Sequence, residues 1–542
     1  ELNKHGMPDW LKYTLAELVA EAHEAIRSFA TRHIHERMNL ETIETCSVKD
    51  SEKRARSTVS LRDIQRVFTF FDFFLHDFSI KLPKKDGEQK YHQAMFLSIA
   101  IVYYLRLDFI YRQELVKLLE SLYKPSIGIV EMLQEAMDLV VENTIIPNGI
   151  AVTTGLKENI FMTLICSLTR TPLMIIGPPG SSKTLSVNII NDNANGKESW
   201  NPYYRGLVRL QSFHYQCSRS STSHEVSAVF QKAVTRQSTL NDSQEQCLVF
   251  MDEAGLPEEG KESLKVLHYL LEGHMSTRST VSFVAISNHI LDAAKSNRCV
   301  CLLRLEPDIG ELENIATGIL FGQNTIGNNI SIRCEDTSIE CTEFCKRLCC
   351  AYMYLLHDDT KFQWFESFFG LRDFIYFLKR MQISTIENNS FHISLAEVIK
   401  AIEFNFNGID KQSFRSLAQI FVDYIFGRNV DIEEIFCHQV KVIMNALETH
   451  NNFQSRYKLI IDETDDDSIM RLLSIMGIVQ VSKKCLFKFS NLPDDSELEK
   501  NHLVSGIKYT AAQGGFAVLS RTDLIHECFY DLFNQHFRNV QN

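Results

Sequence analysis

Apolar residues recur at helical spacing through the first quarter of the chain. Between residues 11 and 29 they return every third or fourth position, which predicts an amphipathic helix. Ser60-Leu-Arg-Asp opens a second such stretch over residues 60–74, with Ser60 in an N-cap position and Ile64, Val67, Phe68 and Phe71 on one face. A third runs over residues 91–122 and stops before Lys124-Pro125. Polar and charged segments at 46–58 and 81–90 separate them as loops. Residues 1–140 are therefore predicted to be all-helical.

The pattern then changes. Short apolar runs appear at residues 173–176, 247–251, 281–286 and 299–305, and 207–213 is a further strand candidate. Such runs fit parallel strands covered on both faces. Helices are expected between them at 156–168 and 225–234. The hydroxyl-rich segment His214-Tyr-Gln-Cys-Ser-Arg-Ser-Ser-Thr-Ser-His224 reads as a solvated loop. Residues 340–379 return to a helical period. A new α/β pattern begins at 455, with strands expected at 457–462 and 515–520, a helix at 468–476, and an acidic run over 462–467 where a phosphate loop would stand.

The first strand leads into Gly177-Pro178-Pro179-Gly180-Ser181-Ser182-Lys183-Thr184. This fits G-x-x-x-x-G-K-[ST] with the second glycine moved to 180 and Ser182 before the lysine. Strand, tight loop and helix start are the context the motif needs. Loop N–H groups would hold the α- and β-phosphates of ATP, Lys183 would reach the β/γ oxygens, and Thr184 would ligate Mg²⁺. The third strand ends in Asp252-Glu253, at the carboxyl edge where open α/β sheets bind ligands. Asp252 is the second Mg²⁺ candidate and Glu253 the base for the attacking water. Asn288, after the fourth strand, is placed to position that water; it is also a common turn residue. Arg298, ahead of the fifth strand, is a candidate arginine finger for a neighbouring nucleotide, or a surface arginine. Cys341, Cys345, Cys349 and Cys350 share one helical face and lack a second ligand cluster, so they read as small buried apolar residues rather than a metal site.

Composition narrows the classes. A net charge of −12 argues against a general nucleic-acid binder. The 14 cysteines are scattered behind no secretory signal, which predicts reduced thiols and a cytoplasmic protein. The apolar run at 94–105 is too short to span a bilayer, so no transmembrane segment is expected. The chain opens without Met and ends inside an α/β pattern, and is expected to be a piece of a longer polypeptide.

Two stretches echo each other: Ser60-Leu-Arg-Asp and Gly370-Leu-Arg-Asp each open an amphipathic helix. With GPPGSSKT, the string MDEAGLPEEGKESLKVLHYLLEG (residues 251–273), AISNHILDAAKSNR (285–298) and the closing GIKYTAAQGGFAVLSRTDLIHECFYDLFNQHF, they resemble the mysterin family of giant AAA+ ATPases and RING-finger ubiquitin ligases. The resemblance covers the chain from Ser57 onward. It implies AAA+ modules in series, each a parallel sheet flanked by helices and followed by a helical lid. Residues 1–140 would be the lid of a preceding module, 141–330 an α/β nucleotide-binding domain, 331–450 its lid, and 451–542 the start of a further module. Lys183, Thr184, Asp252, Glu253, Asn288 and Arg372 fall on the family's nucleotide-site positions, and Arg298 near its finger position. Glu527 resembles an acidic residue of the next module's site, which lacks a lysine in its expected phosphate loop. The implied function is an ATP-hydrolysing motor segment whose partners are neighbouring modules and, through the family, the ubiquitin system. No RING cysteine spacing occurs in these residues. A nucleotide-binding scaffold without turnover, and a dynein- or midasin-like remodeller, are the alternatives.

Overall fold

The four short apolar runs and the 207–213 candidate form one parallel sheet. The structure, a computed structural model, describes residues 7–40, 59–76, 88–123, 128–147, 150–241, 244–257, 263–271, 280–289, 291, 296–321, 339–357, 361–388, 393–427, 432, 468–475, 486–489, 497–513 and 517–533. Strands β1 (Leu173–Ile176), β2 (Arg209–Gln216), β3 (Glu245–Asp252), β4 (Ser282–Ser287) and β5 (Val300–Leu303) lie in the order β2-β3-β4-β1-β5. β1 pairs with β4 on one side and β5 on the other. Leu173, Ile175, Leu248, Phe250, Val284 and Ile286 enter one core, while Met174, Ile176, Val249, Met251, Phe283 and Ala285 enter the other. Both faces are dry along β1, β3 and β4, which is why these strands show no polar alternation, whereas the edge strand β2 is partly exposed.

The first core is shared with the N-terminal helices. These are α1 (Asp9–Leu40), α2 (Leu61–His76), α3 (Gln89–Ile99), α4 (Phe109–Leu122) and α5 (Ile129–Glu142), followed by α6 (Thr154–Leu168) under the sheet. Phe70, Phe71, Met95, Phe96, Tyr103 and Val140 belong to the same cluster as the β1 and β4 side chains. The edge of β5 is met by this layer as well: the Leu303 N–H donates to the Leu105 carbonyl at 3.2 Å. The single helix expected over 91–122 is two. α3 runs into a π turn at Ala100–Tyr104, and Asp108 restarts the chain as α4 by accepting the Tyr111 N–H at 3.1 Å. No described helix is long and apolar enough to cross a membrane.

After the phosphate loop come α7 (Lys183–Asn193) and, past β2, α8 (Ser223–Gln237). β2 runs three residues beyond its expected end and pairs through to Gln216–Asp252. The hydroxyl-rich segment after it is a folded turn, with Ser218 and Ser221 buried. Ser221 Oγ accepts the Ser218 N–H at 2.9 Å, and Thr222 and Glu225 cap α8 reciprocally. Its hydroxyls thus serve backbone groups in place of water. Further helices include α9 (Ile309–Phe321), α10 (Ile339–His357) and α11 (Leu371–Asn388). The helix expected over 340–379 is broken ahead of Gly370. Cys345 and Cys349 are buried, and the described residues hold no cluster of three or more metal-ligating side chains.

Residues 1–394 with 415–429 form one compact unit, and 395–414 with 430–542 a second. The second contains α12 (Leu395–Asn405), α13 (Ser468–Ile475), β6 (Leu486–Lys488), α14 (Glu497–Ala512) and β7 (Val518–Ser520). β6 and β7 pair in parallel, and Phe489, Ile507, Ile525 and Phe529 cluster beside them. The strand expected at 457–462 and the acidic run lie outside the described residues. Glu527 falls in a 3-10 helix, Asp523–Phe529.

The two Leu-Arg-Asp sequences make the same local structure. Asp63 Oδ2 accepts the Ser60 N–H and Asp373 Oδ2 accepts the Gly370 N–H, each at 2.9 Å. Ser60 occupies the predicted cap position, yet its Oγ has no hydrogen-bond partner among the described residues. The aspartate three residues on makes the bond, so glycine can stand in for serine. Asp63 also pairs with Arg66 at 2.8 Å, both buried. Asp373→Ala is expected to cost about 1 kcal/mol, the value of one cap. Asp63→Ala also strands a buried guanidinium and is expected to cost about 3–5 kcal/mol. Urea melts of the two variants check the order; equal losses would mean the buried pair contributes nothing.

Candidate nucleotide site

The phosphate loop leaves β1 through a narrow exit. The Gly177 N–H donates to the Ser287 carbonyl at 3.1 Å, closing the β1–β4 pairing. On the other side a Cβ at 177 would stand 2.6 Å from Arg304 Cβ and 2.7 Å from the Arg304 carbonyl oxygen. Only glycine fits there. Pro178 and Pro179 turn the chain, and Ser181 Oγ donates to the Pro178 carbonyl at 2.8 Å. Gly180 and Ser182 have φ of 92° and 58°, the left-handed conformation that curls successive N–H groups inward. Ser182 sits at the N-cap of α7 and makes no side-chain cap. The first-turn N–H groups of α7 are left for a ligand, with the helix dipole behind them.

Lys183 is buried at the base of this loop. Its Nζ donates to the Gly177 and Pro178 carbonyls at 2.7 and 2.8 Å. Burial pulls the ammonium pKa down to about 8, Glu253 and Asp252 pull the other way, and Arg372 adds to the fall. Thr184 Oγ1 and Asp252 Oδ2 stand 3.5 Å apart, a loosely closed pair of oxygens of the kind a divalent ion takes. Glu253 has φ of 53° and donates its N–H to Asp252 Oδ1 at 2.9 Å. This turns its side chain away from the strand direction. Asn288 Nδ2 donates to Glu253 Oε2 at 2.8 Å. Lys183, Thr184, Asp252, Glu253 and Asn288 are therefore brought to one carboxyl edge of the sheet.

Arg372 joins them through its helix. A Cβ at Gly180 would lie 3.3 Å from the Arg372 nitrogen, so the start of α11 rests on the phosphate loop. Arg298 does not join them. It precedes β5, whose first residue, Val300, pairs with Leu173 at the opposite end of β1.

Several supporting residues carried no signal in the sequence. Asn159 of α6 donates to the Ser181 carbonyl at 2.9 Å and so holds the loop from below. Glu158, beside it, accepts from Arg304 at 2.5 Å and from Arg112 at 2.7 Å. Arg304 also faces Glu311 at 3.5 Å, whose other contact is the Gly155 N–H at 3.0 Å. This buried group joins α4, α6, β5 and α9 behind the loop.

The lysine gives a pH signature. Its folded pKa lies below the ordinary value of 10.5 because burial disfavours the charged form, yet the ammonium keeps its charge at neutral pH. Between about 8 and 10.5 the folded protein sheds this proton before the unfolded chain does, and stability from this group rises with pH. A polyphosphate on the ammonium restores the charge. Calorimetric titration with ATP near pH ~9, in two buffers of different ionisation heat, is expected to show proton uptake. Residual binding by Lys183→Arg is expected to show none.

Residues 149–311 match one RNF213 AAA domain model and residues 447–542 a second. Human E3 ubiquitin-protein ligase RNF213 is 27% identical over 518 residues, covering 89% of this chain. The mouse protein of that name is 26% identical over 88% of the chain. A Dictyostelium discoideum protein, named as an uncharacterized transmembrane protein, is 28% identical over 90%. The matched region is 9% of the length of each of these relatives. A solved chain of a Thermotoga maritima RuvB mutant is similar over 52% of this chain and 80% of its own at 13% identity, with a TM-score of 0.29, which is too loose to argue from. With its five-stranded parallel sheet and phosphate loop the chain has the AAA+ P-loop NTPase fold, and over residues 149–311 and 447–542 it is similar to the AAA domains of RNF213, the mysterin-type proteins.

Proposed function

We propose that the site formed by Gly177–Thr184, Asp252, Glu253 and Asn288 binds Mg-ATP and hydrolyses it. The observation that carries this reading is the Asn288–Glu253 hydrogen bond, made where Thr184 and Asp252 approach each other. A carboxylate anchored by an amide keeps one oxygen for an attacking water, which is the geometry a general base needs. The curled loop and the uncapped α7 start fit a polyphosphate. The Lys183 ammonium, now satisfied by its own loop carbonyls, would exchange them for phosphate oxygens. Mg²⁺, held by Thr184 and Asp252, would supply charge neutralisation between the β- and γ-phosphates. Catalysis on this reading is positioning and charge compensation rather than covalent chemistry.

The module boundaries follow the same reading: 141–330 as the nucleotide-binding domain, 331–450 as its lid, 1–140 as the lid of a preceding module and 451–542 as the start of the next. Arg372 sits where the lid meets the loop. Loss of the γ-phosphate would release it and shift α11, so turnover becomes movement between modules. Arg298, at the far end of the sheet from Lys183, would serve a neighbouring module's nucleotide. Service to a ubiquitin ligase is proposed from the named relatives; no ubiquitin transfer is assigned to these residues.

Wild type is expected to turn over ATP with Mg²⁺. Glu253→Gln should bind ATP and lose about 10²-fold or more in kcat, as expected when a positioned base is removed. Lys183→Ala should lose binding, and Asn288→Ala should lower kcat more than it raises KM. ATP binding with no turnover above that of Glu253→Gln would replace the motor by a nucleotide-bound scaffold.

A further inference from the structure

Helix α2 grips the loop that carries Arg298. Arg66 Nη1 donates to the Cys299 carbonyl at 3.1 Å and Nη2 to the Asn297 carbonyl at 3.0 Å. These are the carbonyls of the residues on either side of Arg298. The same Nη1 donates to Asp63 Oδ1 at 2.8 Å, with the two side chains only 4% and 2% exposed. Asp63 in turn holds the first turn of α2 through the Ser60 N–H. A planar guanidinium that bonds two carbonyls fixes both peptides at once. It therefore fixes the direction in which the Arg298 side chain leaves the backbone.

Arg62 lies one turn before Arg66 on the same face of α2 and is exposed. Its counterpart in the second Leu-Arg-Asp sequence is Arg372, whose helix start rests on Gly180 and whose charge is felt at Lys183. The buried Asp63–Arg66 pair thus joins the helix start that carries Arg62 to the loop that carries Arg298. Neither belongs to the Lys183 site.

We propose that Arg66 is a positioning residue. With Asp63 it holds Arg298 in one fixed geometry as a cationic donor to the γ-phosphate of a nucleoside triphosphate bound by another module's phosphate loop. This rests on the reading of Arg298 as a donor in trans. Arg66 itself touches no phosphate; it acts by orienting the peptides at 297–299.

The test uses the full-length protein carrying Glu253→Gln, so that the Lys183 site is silent, and measures the Mg-ATP turnover that remains. Arg298→Ala is expected to lower this kcat by about 10³-fold, the scale of an arginine finger. Arg66→Lys keeps a charge for Asp63 but cannot bond both carbonyls. It is expected to lower kcat about tenfold or more, at unchanged KM and with little change in Tm. The double variant is expected to lose no more than Arg298→Ala alone. If Arg66→Lys leaves kcat whole while Arg298→Ala lowers it, or if the two losses multiply, the positioning role is overturned. If Arg298→Ala changes nothing, or no turnover remains to be lowered, the reading of Arg298 in trans fails and the proposal falls with it.

Discussion

Gly177 is the constraint on which the site depends. Its N–H must reach Ser287 on β4 while its α-carbon lies against the Arg304 backbone beyond β5. The phosphate loop is therefore registered against two neighbouring strands at once. The register propagates in both directions. Ser287 precedes Asn288, whose amide meets Glu253, so the position of the Glu253 carboxylate follows from the same pairing. Arg304 turns back to Glu158 and Glu311, so the start of α9 follows from it too. A side chain at 177 would push apart the two strand ends that carry these groups.

The buried charges behind the loop work as a coupling rather than as a source of stability. Glu158 accepts from Arg112 on α4 and from Arg304 just after β5 while almost wholly enclosed. Such a group gains little over well-packed apolar residues, but losing one partner leaves a charge stranded, at a cost of about 3–5 kcal/mol. The N-terminal helices, the sheet and α9 are thereby made to move together or not at all. The shared apolar core and the Leu303–Leu105 bond at the sheet edge act in the same direction. Residues 1–140 read as a separate helical region by periodicity alone. Physically they cover one face of the sheet.

What the sequence made legible was local. β1, β3 and β4 announced themselves because burial on both faces demands unbroken apolar runs, and the phosphate loop because its glycine, lysine and threonine keep fixed spacing. β2 was underestimated: His214, Tyr215 and Gln216 are polar, yet they pair with Phe250, Met251 and Asp252 on a sheet edge where polarity is tolerated. The break between α3 and α4 was hidden inside an apolar run with no turn residue, where only the Asp108 cap marks it. The partners of Arg66, Glu158 and Arg304 were invisible. Their contacts join residues far apart in sequence, and no periodicity reports them.

The repeated Leu-Arg-Asp box shows how a readable motif can carry an unreadable consequence. In both copies an aspartate three residues after the cap holds the helix start, and the arginine before it is left exposed. The cap is indifferent to serine or glycine because it uses the backbone. The copies part company one turn later. The first has Arg66, buried against the 297–299 peptides; the second has Tyr376, only partly buried. The box alone therefore sets where a helix begins and which way its arginine starts. The residue four positions on decides whether that helix is bound to another arginine's loop. Two helices with the same opening then differ in kind: α11 bears on the phosphate loop through its first turn, while α2 is fastened to the far end of the sheet. Their likeness is one of local capping geometry, and their difference is one of long-range hydrogen bonding.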